Sequence, residues 1–285
     1  MRFLTKIIRV INRGIFLRNR DNSPFLSGDS FAKLVEYYVY GKQKNKSVDL
    51  AKLRDAKTLF VPGDKISEFL KVYKDNIFAR VMIIGNSDEN FDTPLELPKC
   101  LKLVLCQNST ISDDKKIFTL PIGLENRRLA KSGNPSLYNL RSSAKRHIKI
   151  YVPPMSPTNP IRALTVSKIK SLNQDIFVVD ESYRGVKSYL NEVAKYQFVL
   201  CLEGNGYDNH RIWESLYLGV FPVVFETEWS KTLNYLQLPI LYIKSIDEIT
   251  DALLASFTQL HQDFSINKKE QLWIPFWDKL IQSKL

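Results

Sequence analysis

From residue 58 onward, short runs of β-branched and aliphatic residues alternate with stretches of helical periodicity, and this alternation restricts the fold more than any other feature of the chain. Two parallel strands need a crossover between them, which a helix commonly supplies, so a repeated strand–helix pattern predicts parallel sheets covered by helices. Runs at 58–61, 81–84, 101–106 and 117–120 read as strands. Each is followed by loop formers: Pro62-Gly63, Gly85-Asn86-Ser87-Asp88, Gln107-Asn108 and Pro121-Ile122-Gly123. A passage at 130–146, rich in Lys, Arg and Ser, interrupts the pattern and reads as a linker. Strands resume at 148–152, then at 176–179, 197–202, 220–225 and 240–243, with a Pro-rich loop at 153–160. The expected fold is α/β, with two Rossmann-like parallel-sheet domains at 1–140 and 141–285. Residues 268–284, with Leu272, Trp273, Phe276, Trp277, Leu280 and Ile281, read as one or two apolar-faced helices closing the fold.

A chain of 285 residues is long enough for two such cores. Its 44% apolar and 25% charged content excludes a mainly disordered protein. The cysteines Cys100, Cys106 and Cys201 are odd in number, and two of them lie in strand-like runs, which fits buried thiols in a reducing compartment. The histidines His147, His210 and His261 are scattered, and no Cys-x-x-Cys occurs, so no structural zinc is expected.

The formal net charge of +11 favours anionic partners. Arg2, Lys6, Arg9 and Arg13 recur at helical spacing, with Leu4, Ile7, Ile8 and Ile11 on the other side, which predicts a basic amphipathic helix over the first twenty residues. Such a helix is too short and too charged to cross a bilayer, and it carries no signal-peptide cleavage pattern. It either packs on the first domain or lies on an anionic membrane surface. No nucleic-acid-binding motif accompanies the charge, so nucleic acid is not an expected partner.

Chemistry concentrates in residues 198–225, FVLCLEGNGYDNHRIWESLYLGVFPVVF. This is a strand, a glycine-bearing loop, a helix and a second strand. A loop leading from a parallel strand's carboxyl end into a helix is a place where α/β proteins hold anionic ligands. Gly204 and Gly206 would let backbone approach a ligand, and Asp208 or Asn209 would cap the helix. Arg211 and Glu214, three apart, share a helix face, either as a simple ion pair or as contacts to a diphosphate and to ribose hydroxyls. Gly219 would end the helix and Pro222 would open the next strand. The position three after Gly206 is Asn209, so the loop departs from the dinucleotide-binding Gly-x-Gly-x-x-Gly pattern.

The full string, with Glu203, Gly204, Gly206, Asp208, His210, Arg211, Trp213, Glu214, Leu216, Gly219, Pro222 and Val223, resembles the exostosin-like glycosyltransferase signature. Weaker echoes of bacterial exostosin-like proteins lie at 24–29, 85–88, 107–108, 121–126 and 158–160 with Arg162. The resemblance implies a GT-B-like pair of domains that transfers a sugar from a nucleotide-sugar donor to a glycan or lipid-linked glycan acceptor. It implies donor binding by the second domain through Glu203, Gly204, Gly206, Asp208, His210, Arg211 and Glu214. Arg162 would be a second phosphate contact or a solvated loop arginine. His210 would bond a phosphate or sugar hydroxyl, or have its ring satisfied by protein. The first domain would present the acceptor. Asp88 and Glu125 would be the candidates for the base that inverting transfer needs, each alternatively a turn- or helix-capping carboxylate. No Asp-x-Asp triplet occurs, so donor binding is expected to need neither metal nor cofactor. The expected location is the cytoplasm, at or near the inner face of a membrane.

Overall fold

The computed structural model describes residues 22–40, 47–113, 115–129, 132–138, 146–183 and 185–285. The amphipathic helix expected over the first twenty residues and most of the 130–146 passage lie outside these. No helix among the described residues is long and apolar enough to cross a membrane.

The chain forms two five-stranded parallel sheets. The first contains β1 (Tyr37–Tyr38), β2 (Thr58–Pro62), β3 (Val81–Gly85), β4 (Leu103–Cys106) and β5 (Ile117–Thr119), in that spatial order. Parallel crossovers are right-handed, so a sheet wound in one direction puts its connecting helices on one face. Accordingly α2 (Leu50–Asp55) and α3 (Ile66–Tyr73) pack Leu53, Ile66, Phe69 and Leu70 against Leu59, Val61, Met82 and Ile84. The opposite face, carrying Phe60, Val81, Ile83, Leu103 and Leu105, is left to be covered by the ends of the chain. Phe31 of α1 (Gly28–Ala32) and Trp277 and Ile281 of α9 (Ile274–Gln282) join its core. Phe31 and Trp277 meet edge to face at 5.5 Å, and Ile274 N–H donates to the Pro24 carbonyl at 2.9 Å. The helix that closes the fold thus packs on the first sheet, although it ends the second half of the chain.

The second sheet runs β10 (Leu241–Ile243), β9 (Phe221–Phe225), β8 (Tyr196–Leu200), β6 (His147–Val152), β7 (Phe177–Val179). Here the winding reverses. From β6 the chain steps outward to β7 through α4 (Pro160–Leu172), then crosses back to β8 through α5 (Val186–Val193) and continues to β9 through α6 (His210–Tyr217). Its helices therefore cover both faces: Ile169 of α4 and Leu254 of α8 (Asp251–Leu260) lie on one, and Leu190, Ile212, Trp213 and Leu216 on the other. The short α7 (Glu228–Lys231) places Trp229 with the second group. Gly219, at φ +69°, ends α6 in the left-handed conformation that glycine adopts without strain. Pro222 sits in β9 opposite Val199, early in the strand.

Candidate functional site

A reversal of winding leaves a crevice between the carboxyl ends of the two strands at the switch, here β6 and β8. The loops flanking it follow Val152 and Leu200. Two guanidinium groups join them. Arg162 donates through Nε to the Glu203 carbonyl at 2.7 Å, through Nη2 to Leu202 at 3.2 Å and through Nη1 to Ser156 at 3.0 Å. Arg211 donates through Nη2 to the Pro154 carbonyl at 3.3 Å and through Nε to the Tyr189 hydroxyl at 3.2 Å. Burial, with the nearby charge of Arg211, pushes Arg162 below the usual guanidinium value. Arg162 is therefore not a solvated loop arginine, because three of its five N–H donors are given to backbone carbonyls. Glu214 is 6% exposed and accepts from the Tyr189 hydroxyl at 3.4 Å, so a tyrosine stands between the arginine and the carboxylate expected to pair.

The loop at 203–209 turns most of its polar groups toward the first domain. Asn205 donates to Asp88 at 3.0 Å, Tyr207 N–H to Asn90 at 3.2 Å and the Tyr207 hydroxyl to Asp92 at 2.9 Å. Asp208 N–H donates to Asn108 Oδ1 at 2.8 Å. The Asp208 carboxylate accepts from Ile122 N–H and Trp213 Nε1, both at 2.8 Å, and therefore does not cap α6. Asn209, at the cap position, makes no side-chain capping bond either and donates instead to the Leu202 carbonyl. Burial pushes Asp208 up to about 7.

The two glycines have a different use from the one the sequence implies. A Cβ on Gly204 would come within 2.9 Å of Arg162 Nη2, and one on Gly206 within 2.5 Å of Asn108 Nδ2. Each glycine admits a protein side chain, one from α4 and one from the first domain, where close approach of a ligand was expected.

Two cavities adjoin this loop. One, of about 260 Å³, opens at the carboxyl ends of the first sheet and is lined by Asn86, Asp88, Glu125, Asn126, Arg128 and His210 among others. The structure thus brings both expected carboxylates into one cavity, together with the histidine from the second domain. Asp88 is exposed, Glu125 is 8% exposed, and Arg128 pairs with Asp29 at 3.0 Å. His210 Nδ1 lies 2.8 Å from the Gly123 carbonyl. The other cavity, of about 440 Å³, lies at the carboxyl ends of β8, β9 and β10 and is lined by Glu203, Tyr207, Phe225, Thr227 and Lys244 among others. Burial raises Glu203 above the usual carboxylate value.

Tyr189 and Tyr207 are missing from the residues the sequence singles out, and Asn108 appears there only as a turn residue and as part of a family echo, although the three hold the loop's charged and backbone groups. Nothing in a sequence links Tyr189 to Arg211 across 22 positions, or Asn108 to Asp208 across 100. Asn108 sits at φ +53° in the Gln107-Asn108 turn, and an asparagine in such a turn was the one available signal. Among the described residues no group of three His, Cys, Asp or Glu side chains is placed to hold a metal ion. Cys106 and Cys201 are buried and pushed up to about 12 by burial, which keeps them as thiols. No protein-family model matches the chain, and no curated protein matches it.

Proposed function

We propose that this protein is a metal-independent, inverting glycosyltransferase of exostosin-like, GT-B-like type, which takes a sugar from a nucleotide-sugar and passes it to a glycan or lipid-linked glycan. The observation that carries the reading is the pair of guanidiniums at the β6/β8 crevice. Arg162 and Arg211 are near enough for the charge of one to disfavour the other, and their hydrogen-bond acceptors are carbonyls and a tyrosine hydroxyl, all neutral. Glu214 offsets the charge of one guanidinium, so the pair leaves net positive charge beside the start of α6, which favours an anion, and a nucleoside diphosphate supplies one. The 440 Å³ cavity beside it has the apolar walls and few polar groups, Asn159, Glu203, Tyr207, Thr227 and Lys244, that suit the rest of a nucleotide-sugar. The polar cavity on the first-domain side offers amides and carboxylates to the hydroxyls of an acceptor. The full signature string at 198–225 supplies the reaction class.

Thermal stabilisation by a panel of nucleoside diphosphates and their sugar esters tests this. A selective rise in melting temperature that Arg211→Ala abolishes is expected; a rise that the variant retains contradicts donor binding at this crevice. The basic stretch at the N-terminus would keep the enzyme at an anionic membrane surface. Deleting residues 1–20 should then move it from the membrane to the soluble fraction, and an unchanged distribution would reject that location.

A second reading, a non-catalytic nucleotide- or glycan-binding protein of the same fold, draws on the loop itself, whose polar groups are largely taken up by contacts between domains. Binding without turnover across matched donors and acceptors would favour it.

A further inference from the structure

We infer that His210 is the general base of the transfer, a role that rests on the glycosyltransferase reading above. A carbonyl oxygen can only accept a hydrogen bond. The 2.8 Å contact between His210 Nδ1 and the Gly123 carbonyl therefore requires the proton on Nδ1. In the neutral ring Nε2 is then the basic atom, and the ring is fixed in orientation by backbone of the opposite domain. The imidazole lines the polar cavity at the carboxyl ends of the first sheet, where an acceptor hydroxyl would lie.

The Gly123 carbonyl is itself held firmly. Gly123 has φ +67°, forms an antiparallel bridge with Ser27, and a Cβ there would fall 2.2 Å from the Leu26 carbonyl oxygen. The Nδ1 acceptor thus sits on a turn built for glycine, and the histidine is aimed by a rigid partner. In serine hydrolases a carboxylate fixes the imidazole in the same sense. Here a carbonyl does so without adding charge.

The remaining charged groups around the cavity are Asp88, Glu125 and Arg128, the last paired with Asp29, while Asp208 lies two residues before the ring and is tied to Ile122. Asp88 is exposed and its carboxylate accepts from Asn205, which suits it to orienting a sugar hydroxyl. In the step, Nε2 takes the proton of the acceptor hydroxyl as its oxygen bonds to the anomeric carbon. The bond from that carbon to the diphosphate oxygen breaks, and its electron pair leaves with the nucleoside diphosphate. The imidazolium then gives its proton to solvent.

His210→Asn separates this role from a structural one, because the asparagine amide can still donate to the Gly123 carbonyl. The assay is release of nucleoside diphosphate from uridine, guanosine, adenosine and thymidine diphosphate sugars, with alkyl and aryl glycosides as acceptors. His210→Asn should keep the melting temperature and the stabilisation by nucleoside diphosphate, and lose about 10²- to 10⁴-fold in kcat. A kcat within tenfold of wild type, or a large loss on Asp88→Asn with His210→Asn active, overturns the base assignment and leaves the glycosyltransferase reading standing. Wild type that turns over no donor overturns both. Independently of activity, ¹⁵N spectra of the histidine ring should show the proton on Nδ1 of His210 at neutral pH, and a proton on Nε2 alone would overturn the assignment.

Discussion

His210 and Arg211 are adjacent in the chain and bind to different domains: the imidazole reaches the Gly123 carbonyl of the first, and the guanidinium reaches Tyr189 and Pro154 of the second. Consecutive side chains at the start of a helix diverge by about 100°. A helix beginning at the domain boundary can therefore present an imidazole to one domain and a guanidinium to the other. The density of polar residues at 203–214 follows from this placement, because the same few residues close the domain interface and flank the crevice.

The Tyr189 hydroxyl joins Arg211 to Glu214 in one half-buried relay. Tyr189→Phe keeps the ring and removes that link, leaving both charged partners short of a hydrogen bond. A loss of about 1–3 kcal/mol in urea unfolding is expected, with weaker stabilisation by nucleoside diphosphates. An unchanged midpoint would show that water replaces the hydroxyl without cost.

Gly206 exists to admit Asn108. Gly206→Ala should cost about 1–3 kcal/mol by overpacking, and much less in an Asn108→Gly background, where the obstructing amide is gone and the positive φ is retained at no cost. A double-mutant cycle reads the coupling, and additive losses would contradict the contact.

Asp208 makes the interface sensitive to pH. A carboxyl raised to about 7 on folding holds its proton more tightly in the folded state. Its contribution to stability is therefore fully present below about pH 4, the ordinary carboxylate value, and is lost as pH rises through 7. From pH 5 to 7 wild type should lose about 2 kcal/mol more than Asp208→Asn, which cannot titrate. Parallel stability curves for the two proteins would refute this.

Trp277 belongs to the first sheet's core. Trp277→Ala should cost about 3–5 kcal/mol and expose the face bearing Phe60, Ile83 and Leu105, detectable as dye binding and as lost protection of β2 and β3 amides in hydrogen exchange. Selective loss in the second sheet would contradict the packing described.

The strands were legible because buried parallel strands are runs of apolar residues punctuated by loop formers, and the observed strands differ from the expected ones mainly at their ends. The β1 strand was not, since Tyr37 and Tyr38 alone carry no period. The covering of the first sheet by α9 was not either: an apolar helix face announces burial but not its partner. In the signature loop the residue types were informative and their roles were not. Gly204, Gly206, Asp208 and Arg162 read as ligand groups because glycine, carboxylate and guanidinium serve ligands and protein equally well. What decides between them is the neighbour in space, Arg162 for Gly204 and Asn108 for Gly206, and sequence spacing does not encode that. Asp88, Glu125 and His210 were named from separate segments; the first sheet brings the two carboxylates into one cavity, and the meeting of the two domains adds the histidine.

The most direct measurement is release of nucleoside diphosphate from a nucleotide-sugar found in the stabilisation screen, followed with and without glycoside acceptors, for wild type and Arg211→Ala. Acceptor-stimulated release by wild type, with a new glycosidic product and a loss of at least about 100-fold in the variant, is expected. Stabilisation by the donor with neither release nor product would contradict the glycosyltransferase reading and leave a binding protein of the same fold.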